Sequence, residues 1–195
     1  MLNTPLHEWN LKPAEAIALQ KELAKRVIRE DQLGEVRTIA GVDMAINEQN
    51  GMARAAVVLL SFPELEILER HVYEEPVRMA YVPGLLSFRE IPCILGAFAR
   101  LKQQPDLVMV DGQGIAHPRR LGIASHLGLW INLPTIGCAK SILVGSHPAL
   151  GDEVGSWVPL KDRGEIIGAV LRTRSHVKPM IISLGHRISL ETSIH

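Results

Sequence analysis

Residues 106–140 read DLVMVDGQGIAHPRRLGIASHLGLWINLPTIGCAK, and the order of patterns in this stretch decides the fold. DLVMVDG (106–112) is short and nearly continuously apolar, the pattern of a strand buried on both faces. RRLGIASHLGLWI (119–131) has helical spacing despite its two glycines, and PTIGCAK (134–140) reads as a second strand. Strand, helix, strand requires a parallel crossover. The first strand delivers one carboxylate, Asp111, into a glycine turn that is followed by His117, Pro118 and a pair of arginines.

Upstream the pattern differs. RTIAGVDMAI (37–46), RAAVVLLSF (54–62) and EILERHVYEEPV (66–77) read as three strands. The first two are joined by a loop containing Asn50-Gly51, a strong turn signal, and short links of this kind imply an antiparallel meander. PAEAIALQKELAKRVIRED (13–31) predicts an amphipathic helix, with Ile17, Leu23, Val27 and Ile28 near helical spacing and Pro13 in the first turn. Ser87 to Leu101 predicts a second helix, with Phe88, Ile91 and Leu95 on one side. Downstream, residues 145–164 carry Gly, Pro, Asp and Ser and read as an excursion. EIIGAVLRT (165–173) and PMIISLG (179–185) are two more strands, and ISLETSIH (188–195) begins a helix. With no repeat and no linker, residues 1–195 read as one α/β domain with a mixed sheet.

Composition narrows the function classes. The 195 residues are 47% apolar but only 4% aromatic, so Leu, Ile, Val and Ala must fill the core. Zero formal charge argues against a surface coated with phosphate-binding cations, while leaving room for a local basic strip. Cys93 and Cys138 both lie in apolar contexts, as reduced buried thiols do. No cationic leader and no bilayer-length apolar run is present, so a cytoplasmic protein is expected.

Two aspartates stand out. Asp43 interrupts the apolar strand IAGVDMAI, where an ionised carboxylate is costly unless paired or bound to a metal. Asp111 sits at the carboxyl end of its strand, where open α/β sheets place ligands. If the two strands are neighbours, the carboxylates converge. The plainer reading of each is a salt-bridged or turn-capping aspartate. Glu90 is a third candidate, although SFRE also fits a capping box with Ser87 as the cap, a pattern that Pro92 disturbs. Hard oxygen donors without a Cys-His cluster select magnesium or manganese, and such sites serve phosphoryl chemistry. Glycine at 112 and 114 lets backbone approach a substrate closely.

Four segments together, AGVDMA (40–45), YVPGLLSFRE (81–90), VDGQGIAHPRRLGIASHLGL (110–129) and PTIGCAKSIL (134–143), resemble the endonuclease V family. The match runs in order from about residue 8 to residue 190. The resemblance implies a ribonuclease H-like fold, with a mixed five-stranded sheet (three strands antiparallel, two parallel) flanked by helices. It implies DNA repair by cleavage of the second phosphodiester bond 3′ to deoxyinosine, leaving 3′-hydroxyl and 5′-phosphate. Magnesium would be required and manganese would substitute.

Carried onto this chain, the resemblance makes Asp43 and Asp111 metal ligands and Glu90 the third acidic group. It puts Lys140 near the scissile phosphate and His117 beside the site. Tyr81 and Pro83 belong to a wedge pushed into the duplex, with Ala80 standing where the family carries a proline. Gly84, Gly112 and Gly122 fall in segments expected to form the base pocket. Arg119 and Arg120 are expected on the DNA backbone, with Arg172, Arg174 and Lys178 extending that track. His186 matches a family position of structural character. The chain stops at His195, before the helix and Pro-Thr-Arg segment with which members commonly continue, so any ligand carried there is expected to be missing. The alternatives are a lesion-binding protein with weak or no turnover, and a nuclease acting on inosine-containing RNA. A monomer is expected in either case.

Overall fold

Alternation along the strands sorts the side chains into two faces, and each face packs into its own apolar cluster. The structure is a computed structural model and describes residues 5–195. β1 (Thr38–Asn47) pairs antiparallel with β2 (Met52–Ser61), and β2 with β3 (Ile67–Pro76), which is the expected meander. Gly51 closes the first turn at φ 67°, a conformation that glycine adopts without steric cost. β4 (Leu107–Asp111) lies parallel to β1, in register from Ile39 opposite Leu107 to Val42 opposite Val110. β5 (Thr135–Ala139) lies parallel to β4. Ala40, Val42, Val108 and Val110 point to one face and pack with Ile91, Ile94 and Leu95 of α2 (Leu86–Phe98) and with Ile123, Ala124 and Leu127 of α3 (Ile123–Ile131). Each fully buried Leu or Ile there contributes about 1.5–3 kcal/mol.

The five strands β3-β2-β1-β4-β5 have the expected arrangement, but the sheet continues. β8 (Met180–His186) pairs antiparallel with β5, β7 (Glu165–Leu171) with β8, and β6 (Trp157–Asp162) with β7, giving eight strands in the order β3-β2-β1-β4-β5-β8-β7-β6. The excursion over 145–164 thus conceals a strand. Pro159 obscures it in the sequence and is tolerated because β6 lies at the sheet edge, where a missing N–H breaks no inner ladder.

Three other expectations are corrected. α1 (Pro13–Ala24) ends seven residues before Asp31. Beyond it the backbone turns to follow the end of β8. The Ile28 N–H donates to His186 Nδ1 at 3.2 Å, and the Arg187 N–H donates to the Ile28 carbonyl at 2.8 Å. β-Branched Val27 and Ile28 suit that extended path better than a helix. α3 begins at Ile123 rather than 119, because Arg120 takes φ 59° and reverses the chain before Gly122. β4 is buried on both faces only at its start: Leu107 is 8% exposed, but Met109, on the same side, is 40% exposed and opens onto a groove. α4 (Leu190–Ile194) is a short helix whose first turn is capped by the Ser189 hydroxyl. No helix among the described residues is long and apolar enough to cross a membrane.

Candidate active site

Register brings the two aspartates together. Val42 and Val110 are aligned partners on parallel strands, and the next residue on each is an aspartate. Both valines face the helices, so Asp43 and Asp111 project from the opposite face, on neighbouring strands about 4.8 Å apart. Asp43 is exposed there, not buried as its apolar strand suggested. Its Oδ1 accepts the Met44 N–H at 2.7 Å. Asp111 Oδ2 accepts from Lys140 Nζ at 2.5 Å, a bond that holds the lysine above its ordinary pKa.

Glu90 completes the group from α2. The capping box that its sequence also fits does not form. Leu85 is the helix cap, and Ser87 is buried, its hydroxyl 3.0 Å from His126 Nδ1. Burial, and then the charges of Asp43 and Asp111, push the Glu90 carboxyl up to about 7, against an opposing pull from Arg89. A carboxyl that keeps its proton near neutrality beside two others marks a place where positive charge is favoured. Among the described residues no three His, Cys, Asp or Glu side chains form a ready metal cluster. Two carboxylates on adjacent strands with a third acidic group nearby are nevertheless the hard donors that fit magnesium or manganese. They border an apolar groove of about 370 Å³ floored by Val58, Met109, Cys138 and Met180. Burial and Asp111 push the Cys138 thiol up to about 11, so it is no nucleophile.

A second, smaller cavity of about 100 Å³ lies past the glycine turn. Gly84, Ser87, Gln113, His117 and Gly122 line it, with Tyr81 among them at 62% exposure. Gly112 does not line it. Gly112 takes φ 148°, and a Cβ there would meet Ile123. The glycines serve close packing of the protein on itself more than clearance for a substrate. A Cβ on Gly114 would collide with the Leu184 carbonyl, and one on Gly122 with the carbonyls of Gln113 and Gly114. Gly114→Ala is therefore expected to cost about 2–3 kcal/mol and to lower the melting temperature by roughly 5–10 °C, read by thermal unfolding. An unchanged melting curve would mean that the turn yields without cost.

The basic residues are engaged differently from the expectation. His117 is buried, with Nδ1 accepting the Arg119 N–H at 3.2 Å and Nε2 donating to the Gly84 carbonyl at 3.2 Å. Burial, then Arg119 and Arg120, hold it down to about 4, so it is neutral and both its nitrogens are occupied. Arg120 donates to Asp162, Glu165 and the His117 carbonyl. Arg119 Nη2 donates to the Gly84 carbonyl at 2.7 Å, and its Nε donates to Gln20 Oε1 at 2.5 Å. Pro83 is exposed beside Tyr81. Arg174 and Lys178 are exposed, whereas Arg172 is tied to the Val177 and Gly151 carbonyls.

Gln20 escaped the sequence reading. It is fully buried on α1 and links Gly84, Leu121 and Arg119, so it braces the cavity wall. A signal existed: Gln20 falls at helical spacing between buried Ala16 and Leu23, on the apolar stripe.

Known proteins are similar to this chain over nearly its whole length. Residues 21–195 match the family described as Endonuclease V. The chain is 56% identical over 189 residues to Endonuclease V of Nostoc sp., spanning 96% of this chain and 86% of that protein. It matches the crystal structure of Endonuclease V from Streptomyces avermitilis with a TM-score of 0.90 and 40% identity, over 95% of this chain and 82% of that one. It also matches Ciona intestinalis Endonuclease V in complex with a 24mer DNA containing an inosine followed by a ribo-adenosine, with a TM-score of 0.79 and 28% identity over 92% and 85% of the two chains. The sheet is that of a ribonuclease H-like fold, and the chain belongs to the endonuclease V family.

Proposed function

We propose that this nuclease is a divalent-metal-dependent repair enzyme that recognises deoxyinosine in DNA. In this reading it hydrolyses the second phosphodiester bond 3′ to the lesion, leaving 3′-hydroxyl and 5′-phosphate. The observation that carries the proposal is the β1–β4 register that sets Asp43 beside Asp111, with Lys140 bonded to Asp111 and Glu90 close enough for both aspartate charges to raise its carboxyl. The inosine-containing DNA bound by the Ciona intestinalis relative supports the choice of substrate.

Asp43 and Asp111 would hold the ion, magnesium or in its place manganese. When bound, such an ion supplies Lewis acidity and an acidified water. Glu90, poised near neutrality, gives or takes a proton at its carboxyl oxygen. Lys140 is a fixed positive charge against the phosphate, once it exchanges Asp111 for substrate. Tyr81 and Pro83, exposed on one turn, wedge the duplex open while the base enters the cavity lined by Gly84 and Gly122. Gly112 positions the turn between the two sites. Arg119, Arg120 and His117 act by holding the cavity walls.

The test is a duplex with a single inosine, incubated with magnesium. A nick one nucleotide beyond the lesion is expected, abolished by EDTA and absent from a matched adenine duplex. Folded protein that makes no nick with either magnesium or manganese sinks the proposal. A parallel inosine-containing RNA decides which polymer is preferred.

A further inference from the structure

The segment that carries Tyr81 and Pro83 has little structure of its own. Residues 77–85 join β3 to α2 without helix or strand, and among the described residues one backbone bond closes the turn, from the Leu85 N–H to the Val82 carbonyl at 2.9 Å. Ala80 stands where the family carries a proline, so the chain itself does little to stiffen the turn. Its support comes from α1. Met79 and Val82 pack into the cluster that Ala16 of α1 forms with Leu85 and Phe88, while Ala80, Tyr81 and Pro83 stay exposed.

Gln20, one helical turn beyond Ala16 and completely buried, holds the far end of the segment. Its Nε2 donates to the Gly84 carbonyl at 2.9 Å and to the Leu121 carbonyl at 3.4 Å, and its Oε1 accepts from Arg119 Nε. Both carbonyls can only accept, which fixes the orientation of the carboxamide. The Gly84 carbonyl takes two further donors, Arg119 Nη2 at 2.7 Å and His117 Nε2 at 3.2 Å. Gln20, Arg119 and Gly84 thus form a closed ring of hydrogen bonds. Gly84 reverses the chain at φ 79°, and a Cβ there would collide with the Arg119 guanidinium, so glycine is what admits the ring.

We infer that Gln20 is a positioning residue for strand separation: it fixes Gly84, and through Gly84 the direction in which Tyr81 and Pro83 project. This rests on the reading of that turn as a wedge. A wedge parts two strands only if it does not bend aside, and the cost of unstacking falls on the backbone that carries it. With alanine at position 80, the turn draws its stiffness from a buried carboxamide 64 positions away on α1. Arg119 and His117 share the same carbonyl, so removing Gln20 loosens the turn without freeing it.

The test compares two labelled DNAs in EDTA by fluorescence anisotropy, so that neither metal nor cleavage enters: an inosine-containing duplex, and the same inosine strand unpaired. Strand separation matters only to the duplex, whereas damage to the cavity or to the fold weakens binding of both and cancels in their ratio. In Gln20→Met, of similar volume but without the amide, duplex affinity is expected to fall about tenfold more than single-strand affinity. Adding Ala80→Pro is expected to restore most of that difference. The Ala80 N–H donates no backbone hydrogen bond, so the proline removes none. Tyr81→Ala is expected to shift the ratio in the same direction, and Gln20→Met added to it to shift it no further. Equal weakening of both DNAs by Gln20→Met makes Gln20 a purely structural residue and overturns the inference, as does a duplex-specific loss that adds in full to that of Tyr81→Ala. If Tyr81→Ala shifts the ratio and Gln20→Met does not, only the role of Gln20 fails. If Tyr81→Ala leaves the ratio unchanged, the wedge reading fails and the inference with it. Should Gln20→Met not fold, as judged by its melting curve, the same ratio is read with Gln20→Asn, whose carboxamide stops one methylene short of Gly84.

Discussion

Asp43→Ala is expected to lower inosine-dependent cleavage at least about a thousandfold, some 4 kcal/mol of transition-state stabilisation, without lowering the melting temperature. Asp43 is exposed, and its Oδ1 bonds only the adjacent Met44 amide, so little packing depends on it. Its charge does oppose the ionisation of Glu90. Removing it brings the Glu90 carboxyl back toward its ordinary range and relieves repulsion at the carboxyl end of the sheet. Nicking assays at neutral pH and thermal unfolding in EDTA check the two halves separately. A variant that unfolds would make Asp43 a structural partner; one that still cuts would remove it from the ion site.

Acid lability is the second large effect, expected between pH 6.5 and about 4. Burial holds His117 and His186 down to about 4 from an ordinary 6.5, with arginines adding to the effect: Arg119 and Arg120 for the first, Arg187 and Arg26 for the second. His126, completely buried and facing His7, is pushed well below 6.5. Each of the three uses a ring nitrogen as an acceptor, at Arg119 N, Ile28 N and Ser87 Oγ respectively, which protonation would destroy. In this window the unfolded chain binds protons that the folded chain refuses, so stability falls as pH falls. His117 and His186 each account for about 2 kcal/mol lost at pH 5, and His126 adds loss of the same sign. Glu90 acts oppositely. Its folded value near 7 lies above the ordinary 4.5, so it recovers about 2 kcal/mol as pH drops from 7 to 5. Melting curves at pH 7 and pH 5 should therefore show a clear net decrease, steeper in Glu90→Gln. A flat profile in both would show that these histidines are solvated.

The meander, the crossover and its parallel strands are legible in the chain itself, because two local signals carry them: apolar period and glycine turns. The extent of α1 is not, because the hydrogen bonds that stop it come from His186 and Arg187, more than 150 positions away. β6 escapes a local reading because a proline is acceptable only at an edge, and sequence cannot say which strand is the edge.

The candidate site divides along the same line. Residue types alone determined the chemistry open to this chain: carboxylates for a hard cation, a lysine for a phosphate, glycines wherever backbone must touch backbone. The tertiary structure alone decided which of them meet. The β1–β4 register sets Asp43 beside Asp111, while Arg120 is turned inward to Asp162 and Glu165 and His117 is locked between Arg119 and Gly84. The reason is physical. Charge and hydrogen-bonding capacity belong to a side chain, but whether they face a substrate or another part of the protein depends on strand pairing across distant segments, which no local pattern encodes.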